Sequence, residues 1–239
     1  MPLLGKRDLY ETIAPDMDVL DADLYVVPDV KPFANGADGE FLSSPRIDNL
    51  TSVYASLYAL ASATPAGIAV CACFDSEETG SRTWQSAGGA LLPAILEAAV
   101  KPYATSVPTA ASKGLALSID NGHALHPAHP ETADTAHPVV LNGGIVIKHN
   151  PNYATDAMSA GQVKQILRNA KLPYQDFYNQ ADTRCGSTLG LFCARQLLIS
   201  TCDIGLGQLA MHSAVETVGK ADIDTLQQAV KAFFASVGR

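Results

Sequence analysis

The sequence has little positive charge and no long apolar run. Its 16 Lys and Arg residues are outnumbered by 24 Asp and Glu residues, which gives a net charge of −8. Sequence-independent binding to nucleic acid requires an excess of Lys and Arg to neutralise the phosphates, so no nucleic-acid partner is expected. The apolar stretches are well below the roughly 20 residues that cross a bilayer, and no charged-then-apolar signal stretch opens the chain. We therefore expect a cytoplasmic protein with no membrane partner.

Paired cysteine motifs are also lacking. None of the five cysteines forms a CxxC pair, and four of them lie in apolar or strand-like runs, so free and mostly buried thiols are expected. At 239 residues the chain could form one large domain or two small ones. Hydrophobic residues make up 47% and charged residues 17%, which are ordinary values for a folded protein with a sizeable core.

Strand-like and helix-like patterns alternate along the chain. Strands are predicted at residues 18–27, 67–74, 115–120, 144–149 and 201–207. Helices are predicted at 48–63, 88–100, 159–170, 188–199 and 222–234, the last with Asp222 as its N-cap. Residues 121–142 show no periodicity and indicate a long loop. This alternation predicts an α/β fold, a three-layer α/β/α sandwich with a largely parallel sheet.

Acidic side chains follow several of the predicted strands, at the sheet edge where α/β proteins form their sites. The candidates are Glu77 and Glu78 after residues 67–74, Asp120 after LALSI, Asp203 inside STCDIG, Asp48 at a helix start, and His212 in LAMHS. Each has a structural explanation when taken singly. Asp48 could cap a helix, the two glutamates could lie in a solvated loop, and His212 could be a core histidine.

Two adjacent glutamates at a strand end suit a metal hydrolase. One glutamate can bind the ion while its neighbour stays free as a general base for water whose pKa the ion has lowered. An aspartate that joins two ions roughly 3.5–4 Å apart completes a two-metal arrangement. An oxygen-rich site with one imidazole suits Zn, Mn or Co about equally.

Seven short strings make this interpretation specific. They are SPRIDNL (44–50), DSEETGS (75–81), DNGHALHP (120–127), VIKHN (146–150), YATDA (153–157), DTRCGSTLG (182–190) and QLAMHS (208–213). In this order and spacing they resemble the successive motifs of the aspartyl aminopeptidase family, whose members are dizinc peptidases with a zinc-peptidase-like fold. The resemblance covers nearly the whole chain and corresponds to the C-terminal portion of the catalytic domain.

The resemblance implies a role for each matched residue. Asp48 would bridge two zinc ions, Glu77 would be the general base, and Glu78 and His212 would share one ion while Asp120 holds the other. The substrate-binding positions would be His123, Lys148, Tyr153, Asp182, Gly186 and Ser187. Lys148 would pair with the acidic side chain of the substrate's N-terminal residue, although an exposed strand-end lysine is the structural alternative. The implied function is removal of N-terminal Asp or Glu from peptides.

The sequence departs from the family in one motif. It contains no HTDSP-like string, whose histidine is the remaining ligand of the ion held by Asp120. Residues 1–40 resemble the end of the family's oligomerisation insert, and 41–239 resemble the catalytic domain, incomplete at its N-terminal side. Two interpretations follow. The chain is either an enzyme piece that acts as a homo-oligomer or with a complementary N-terminal chain, or a catalytically silent metal-binding homologue.

Two further expectations concern local structure. The Asp48–Asn49 peptide bond is predicted to be cis, as in related two-metal peptidases. His126, His129 and His137 lie in the Pro-rich loop, where we expect them to be solvated, with a substitute ligand for the second ion as the alternative.

Overall fold

The computed structural model describes residues 8–236, in which strands form two sheets. The strands are β1 (Phe33–Asn35), β2 (Phe41–Ser44), β3 (Leu115–Ile119), β4 (Gly122–His123), β5 (Ile145–His149), β6 (Tyr174–Tyr178), β7 (Ser200–Gly205), β8 (Gly207–Leu209) and β9 (Glu216–Gly219). One sheet has the order β3-β7-β5-β6 and the other β1-β2-β9-β8-β4.

Seven α-helices lie within residues 8–236. They are α1 (Leu9–Ile13), α2 (Ile47–Ser62), α3 (Leu91–Val100), α4 (Val107–Ala111), α5 (Ala157–Asn169), α6 (Gly190–Leu197) and α7 (Lys220–Ser236), with short 3-10 turns at Lys101–Tyr103 and Pro130–Thr132. Helix α5 begins at a capping box in which Asp156 and Ser159 each accept from the other's backbone. No helix within residues 8–236 is both long and apolar enough to cross a membrane.

The main core lies between the four-stranded sheet and helices α2, α5 and α7. Strand β5 contributes Ile145 and Ile147, both fully buried, and β7 contributes Cys202 and Ile204 from one of its faces. Because successive strand residues point to opposite faces, Asp203 of β7 faces the other way, towards α6. A smaller cluster of α3, α4 and α6 residues packs on that side. Helices on both faces of the sheet give the predicted α/β/α sandwich, which is confirmed.

Parallel pairing is confined to part of the structure. In the four-stranded sheet, β3 pairs in parallel with β7 and β5 with β6, whereas β5 and β7 are antiparallel. The second sheet, which the sequence analysis did not predict, is mostly antiparallel. It brings the chain before α2 beside the chain that follows residue 212, because β2 pairs with β9.

Three local predictions were wrong. Residues 18–27 form no strand, and residues 67–74 run without a paired neighbour in the described part of the chain. A strand requires hydrogen-bonded partners, which an apolar pattern alone does not supply. Asp222 is not an N-cap, because α7 already begins at Lys220. Its buried carboxylate instead accepts hydrogen bonds from the peptide nitrogens of Asn142 and Gly144, at 2.6 and 2.8 Å.

Candidate metal centre

Asp48 lies at the irregular start of α2. Its φ and ψ of −80° and 109° are not helical, and the Asp48–Asn49 bond is cis, as predicted. The side-chain amide of Asn49 donates to the Ile119 carbonyl oxygen at 2.8 Å and so ties this turn to the end of β3. The structural alternative, in which Asp48 is an ordinary helix cap, is therefore not observed, because α2 starts before it.

His212 lies in the turn between β8 and β9, in the left-handed region with φ 65°. Its Nε2 atom is 3.1 Å from Asp48 Oδ2 and 3.0 Å from Glu78 Oε1. Desolvation lowers the pKa of His212, but the Glu78 and Asp48 carboxylates outweigh it and raise the pKa above its ordinary value. Thus three of the predicted ligands, 164 positions apart at the extremes, meet at one point.

These three side chains have the geometry of a metal-binding group. One ligand atom from each lies within 4.8 Å of the others. A tetrahedral zinc with ligands at about 2.0–2.1 Å separates neighbouring ligand atoms by roughly 3.3 Å, close to the distances around His212. In addition, Asp48 Oδ1 is buried and has no hydrogen-bond partner within the described residues. A cation there would satisfy this oxygen, so the donor set fits zinc.

Asp120 and Glu77 add negative charge beside this group. Burial, followed by repulsion from Asp120 and then from Glu78, raises the pKa of Asp48 to about 7. Burial, followed by repulsion from Asp120 and Glu78, likewise raises the pKa of Glu77 to about 7. Carboxylates this close repel one another unless a proton or a metal ion lies between them. The cluster is therefore short of positive charge.

Lys148 lies beside Asp120 and is 1% exposed. Its Nζ donates to the Asn121 carbonyl oxygen at 2.7 Å and lies 3.4 Å from Asp120 Oδ2. The Tyr153 ring centroid is 5.4 Å from the same nitrogen. Lys148 is thus a buried cation within the site, and the alternative of an exposed strand-end lysine is wrong.

His123 belongs electrostatically to the same region. Desolvation, and then the positive charges of Lys148 and His212, lower its pKa below the ordinary value. A neutral imidazole that can accept or donate a hydrogen bond is the expected form at neutral pH.

The predicted substrate-binding residues Asp182, Gly186 and Ser187 are exposed and lie in a loop. The loop is joined to the site through Cys185, whose thiol donates to the Tyr153 hydroxyl at 3.5 Å and whose carbonyl accepts from Asn152 at 3.0 Å. None of the three has a hydrogen bond to Asp48, Glu78 or His212 among the described contacts, so their substrate role stays a prediction.

The loop histidines stay apart from the ligand group. The rings of His126 and His129 pack at a tilt of 40° with centroids 5.2 Å apart, and His129 also pairs with Glu131 at 3.2 Å. His137 pairs with Asp134 at 3.4 Å and packs on the ring of Tyr178. Within the described part of the chain, none of them is positioned as a substitute ligand.

Two buried acids beside the site were not assigned a role from the sequence. Glu216 accepts hydrogen bonds from the backbones of both Asp48 and His212. Asp203 accepts from the Ala154 backbone at 2.6 Å and from the Thr188 hydroxyl, and so links the Tyr153 segment to the loop before α6. Asp203 could be noted from the sequence because it is an acid inside a mostly buried strand, whereas Glu216 begins the short strand β9 and gives no such signal.

An imidazole converging with two carboxylates, beside a further acid pair and a buried lysine, defines the class of site found in metal-dependent hydrolases. Residues 9–234 match the family described as aminopeptidase I zinc metalloprotease (M18), and the chain belongs to this family.

Individual relatives agree with this assignment. The chain is 38% identical over 220 residues to a probable M18 family aminopeptidase 2 from Pseudomonas savastanoi pv. phaseolicola, which covers 91% of this chain and 51% of the relative. It is similar to a chain in the cryo-EM structure of the Ape4 and Nbr1 complex, with a TM-score of 0.81 and 30% identity over 86% of this chain and 41% of that one. The S. cerevisiae mApe1 dodecamer gives a TM-score of 0.75 at 28% identity, over 86% of this chain and 48% of that one. The chain thus spans about half the length of the curated relatives it matches.

Proposed function

We propose that this chain carries the metal-binding part of an aminopeptidase site that removes N-terminal Asp or Glu from peptides. The observation that carries the proposal is the convergence of His212 Nε2 with Asp48 and Glu78 oxygens at 3.1 and 3.0 Å in a member of a zinc metalloprotease family. In this proposal Asp48, Glu78 and His212 hold one zinc. Asp48 and Asp120 contribute to a second, with Mn or Co as substitutes.

The surrounding side chains would then divide the chemistry. A bound zinc supplies Lewis-acid polarisation of the scissile carbonyl and a water of lowered pKa. Glu77, free of the ligand group, accepts the proton from that water and returns it to the leaving amine. His123, as a neutral imidazole, can hydrogen-bond to the peptide at the mouth of the site. Tyr153 and the exposed residues Asp182, Gly186 and Ser187 would form the remaining wall of the substrate pocket.

Selection of acidic residues is assigned to Lys148. Its buried ammonium donates to a neutral carbonyl at 2.7 Å and to the Asp120 carboxylate at a longer 3.4 Å, so a substrate carboxylate could compete for it. Lys148→Met should lower kcat/KM for an aspartyl amide about 10- to 100-fold relative to a leucyl amide. The control is Lys164→Met, because the ion pair of Lys164 with Asp176 at 2.7 Å lies outside the site. Equal losses for both substrates would contradict the acidic specificity and leave the peptidase proposal intact.

A silent metal-binding homologue is the second candidate. The favouring observation is that Asp48, Glu78 and His212 are the one group of three or more potential ligands found among residues 8–236. The second ion would have only Asp48 and Asp120 from the described residues, which is too few for tight binding. Such a chain would bind zinc without hydrolysing peptides.

Zinc titration of the purified chain separates the two functions. One tight equivalent and little hydrolysis of aspartyl or glutamyl chromogenic amides are expected from the chain alone. The experiment is repeated with the polypeptide that corresponds to the other half of a full-length relative. A second equivalent that appears together with turnover supports the enzyme, whereas unchanged stoichiometry and no turnover support the silent homologue. If the chain binds no zinc tightly, both the enzyme and the silent-homologue proposals are contradicted.

An assembled state is also proposed, as a homo-oligomer or with a complementary N-terminal chain. Large apolar side chains on α2 are about half exposed, among them Leu50, Tyr54 and Leu57, and Ile68 and Val70 of the unpaired run are similarly exposed. Apolar surface of this extent marks interaction sites. Light scattering of the chain alone and with the second polypeptide distinguishes the two assemblies, and a monomer in both samples would contradict either. The cytoplasmic location stays a prediction.

A further inference from the structure

The carboxylate of Glu216 contacts the backbone of two candidate ligands at once. Glu216 is 3% exposed and begins β9. Its Oε2 accepts from the Asp48 peptide nitrogen at 2.9 Å, and its Oε1 accepts from the His212 peptide nitrogen at 2.7 Å. One rigid, planar group therefore spans two ligands that lie on different elements of the fold.

The two peptide units held in this way have few other supports. Asp48 has non-helical φ and ψ inside α2, so its peptide nitrogen begins no regular helical bond. His212 has φ 65°, a left-handed conformation that is unfavourable for a residue with a Cβ and persists only where neighbours enforce it. A buried carboxylate supplies short, charge-assisted hydrogen bonds at both places.

The strand pairing holds Glu216 itself in position. Its Cα pairs with Ser44 of β2, which precedes Asp48, and the following residues of β9 pair with β8, which precedes the His212 turn. Both segments that carry the ligands thus leave strands next to Glu216. The side chain ties together the irregular segments that follow these two strands.

We propose that Glu216 is a positioning residue that sets the spacing between Asp48 and His212 and thereby the zinc affinity of the site. The inference rests on the proposed function, since it assumes that these two residues bind zinc. Glu216 itself binds no metal in this proposal. Its oxygens are turned to the two peptide nitrogens.

Glu216→Gln tests this role with almost no change in volume. The amide can accept from only one of the two peptide nitrogens, and its own N–H atoms face the other donor. Zinc affinity, measured by competition with a chelator, should fall about 10- to 100-fold, as for other residues that orient ligands. The absorption bands of the cobalt-substituted chain should shift, because ligand spacing alters the coordination geometry.

Asp222→Asn is the matched control. Asp222 is another buried carboxylate that accepts from two peptide nitrogens, and it contacts no candidate ligand. Whatever this control does to stability, zinc affinity and the cobalt spectrum should stay as in the unmodified chain. Unchanged zinc affinity in Glu216→Gln, or equal losses in both variants, would overturn the positioning role. If the unmodified chain binds no zinc, the proposed function fails first and this role fails with it.

Amide NMR of the metal-free chain tests the contacts even if Glu216→Gln does not fold. The Asp48 and His212 amide protons should resonate downfield and exchange slowly, because both donate to a buried carboxylate. Glu216→Asp keeps the charge but is one methylene shorter, and should lose at least one of the two signals and weaken zinc binding. Fast exchange of both amides in the unmodified chain would overturn the inference without reference to metal.

Discussion

Two similar apolar strings have different fates in this structure. GIVIKH forms β5, with Ile145, Val146 and Ile147 fully buried between β6 and β7. GIAVCACF runs unpaired at residues 67–74, and its Ile68 and Val70 are 49% and 47% exposed. Both strings have the composition of a strand covered on two faces. The apolar pattern therefore indicates only that a segment can be buried. Whether it is buried depends on the presence of neighbouring strands.

The difference extends to how each string is anchored. The chain just before β5 is held by Asp222 through Asn142 and Gly144. The hydrogen bonds just before residue 67 are local to the end of α2, such as the one from the Ala63 nitrogen to the Leu60 carbonyl. Yet the unpaired string leads directly to Glu77 and Glu78, and the paired one carries Lys148. The weakly anchored string thus leads to two acids of the site, whereas the firmly anchored string carries the lysine.

The largest expected effect is on the acid that follows the unpaired string. Glu77→Gln should reduce turnover about 100- to 10,000-fold, because a general base is lost while the ligand group is untouched. Metal content, measured by elemental analysis, should stay unchanged. The assay uses the preparation that shows turnover in the zinc titration, with the exposed Glu131→Gln as control. An unchanged rate would remove Glu77 from the mechanism.

Truncation of one isoleucine in each string tests their unequal burial. Ile147→Ala should lower the free energy of unfolding by about 2–5 kcal/mol, because a fully buried side chain leaves a cavity. Ile68→Ala, at a half-exposed position, should cost less than about 1 kcal/mol. Urea unfolding of both variants measures the difference. Equal costs would mean that the 67–74 string is covered in solution, as an assembled state requires.

Most of the fold, and the convergence of Asp48, Glu78 and His212, could be predicted from the sequence. Helical periodicity predicted α2, α5, α6 and α7 to within a few residues, since each buries one face. The ordered motifs predicted that Asp48, Glu78, Asp120 and His212 would lie close together. The second sheet was missed because its short strands of three or four residues carry too little pattern. Strand 67–74 was predicted wrongly because pairing is a property of neighbours. Glu216 was missed because its partners are backbone atoms, which leave no mark on the sequence.

Asp222, which holds the chain just before β5, should make the free energy of unfolding depend on pH. Burial raises the pKa of Asp222 from 3.8 to about 6, although the peptide nitrogens of Gly144 and Asn142 lower it. A carboxyl with a raised folded-state pKa binds more protons folded than unfolded. Its stability contribution is therefore present below about pH 4 and lost as the pH rises through about 6.

The loss should reach about 3 kcal/mol, from two pKa units at about 1.4 kcal/mol each. The measurement is the unfolding free energy of the unmodified chain minus that of Asp222→Asn, from pH 4 to 7 without added metal. The difference should fall across this range. A flat difference, or one that rises with pH, would show that the two peptide nitrogens outweigh burial.

The smallest effect is expected at the end of the unpaired string. Cys73 is exposed, whereas Cys202, on strand β7 beside β5, is fully buried with its pKa raised to about 12 by burial. Cys73→Ser should change the unfolding free energy by no more than about 0.5 kcal/mol, the range of ordinary surface substitutions. It should also abolish the fastest phase of thiol modification in the native chain, because Cys73 is exposed while the other four cysteines are half-buried or buried. If Cys73 is slow in the chain alone, the string is already covered there. If it becomes slow only when the second polypeptide is added, that polypeptide supplies the neighbour that GIAVCACF lacks.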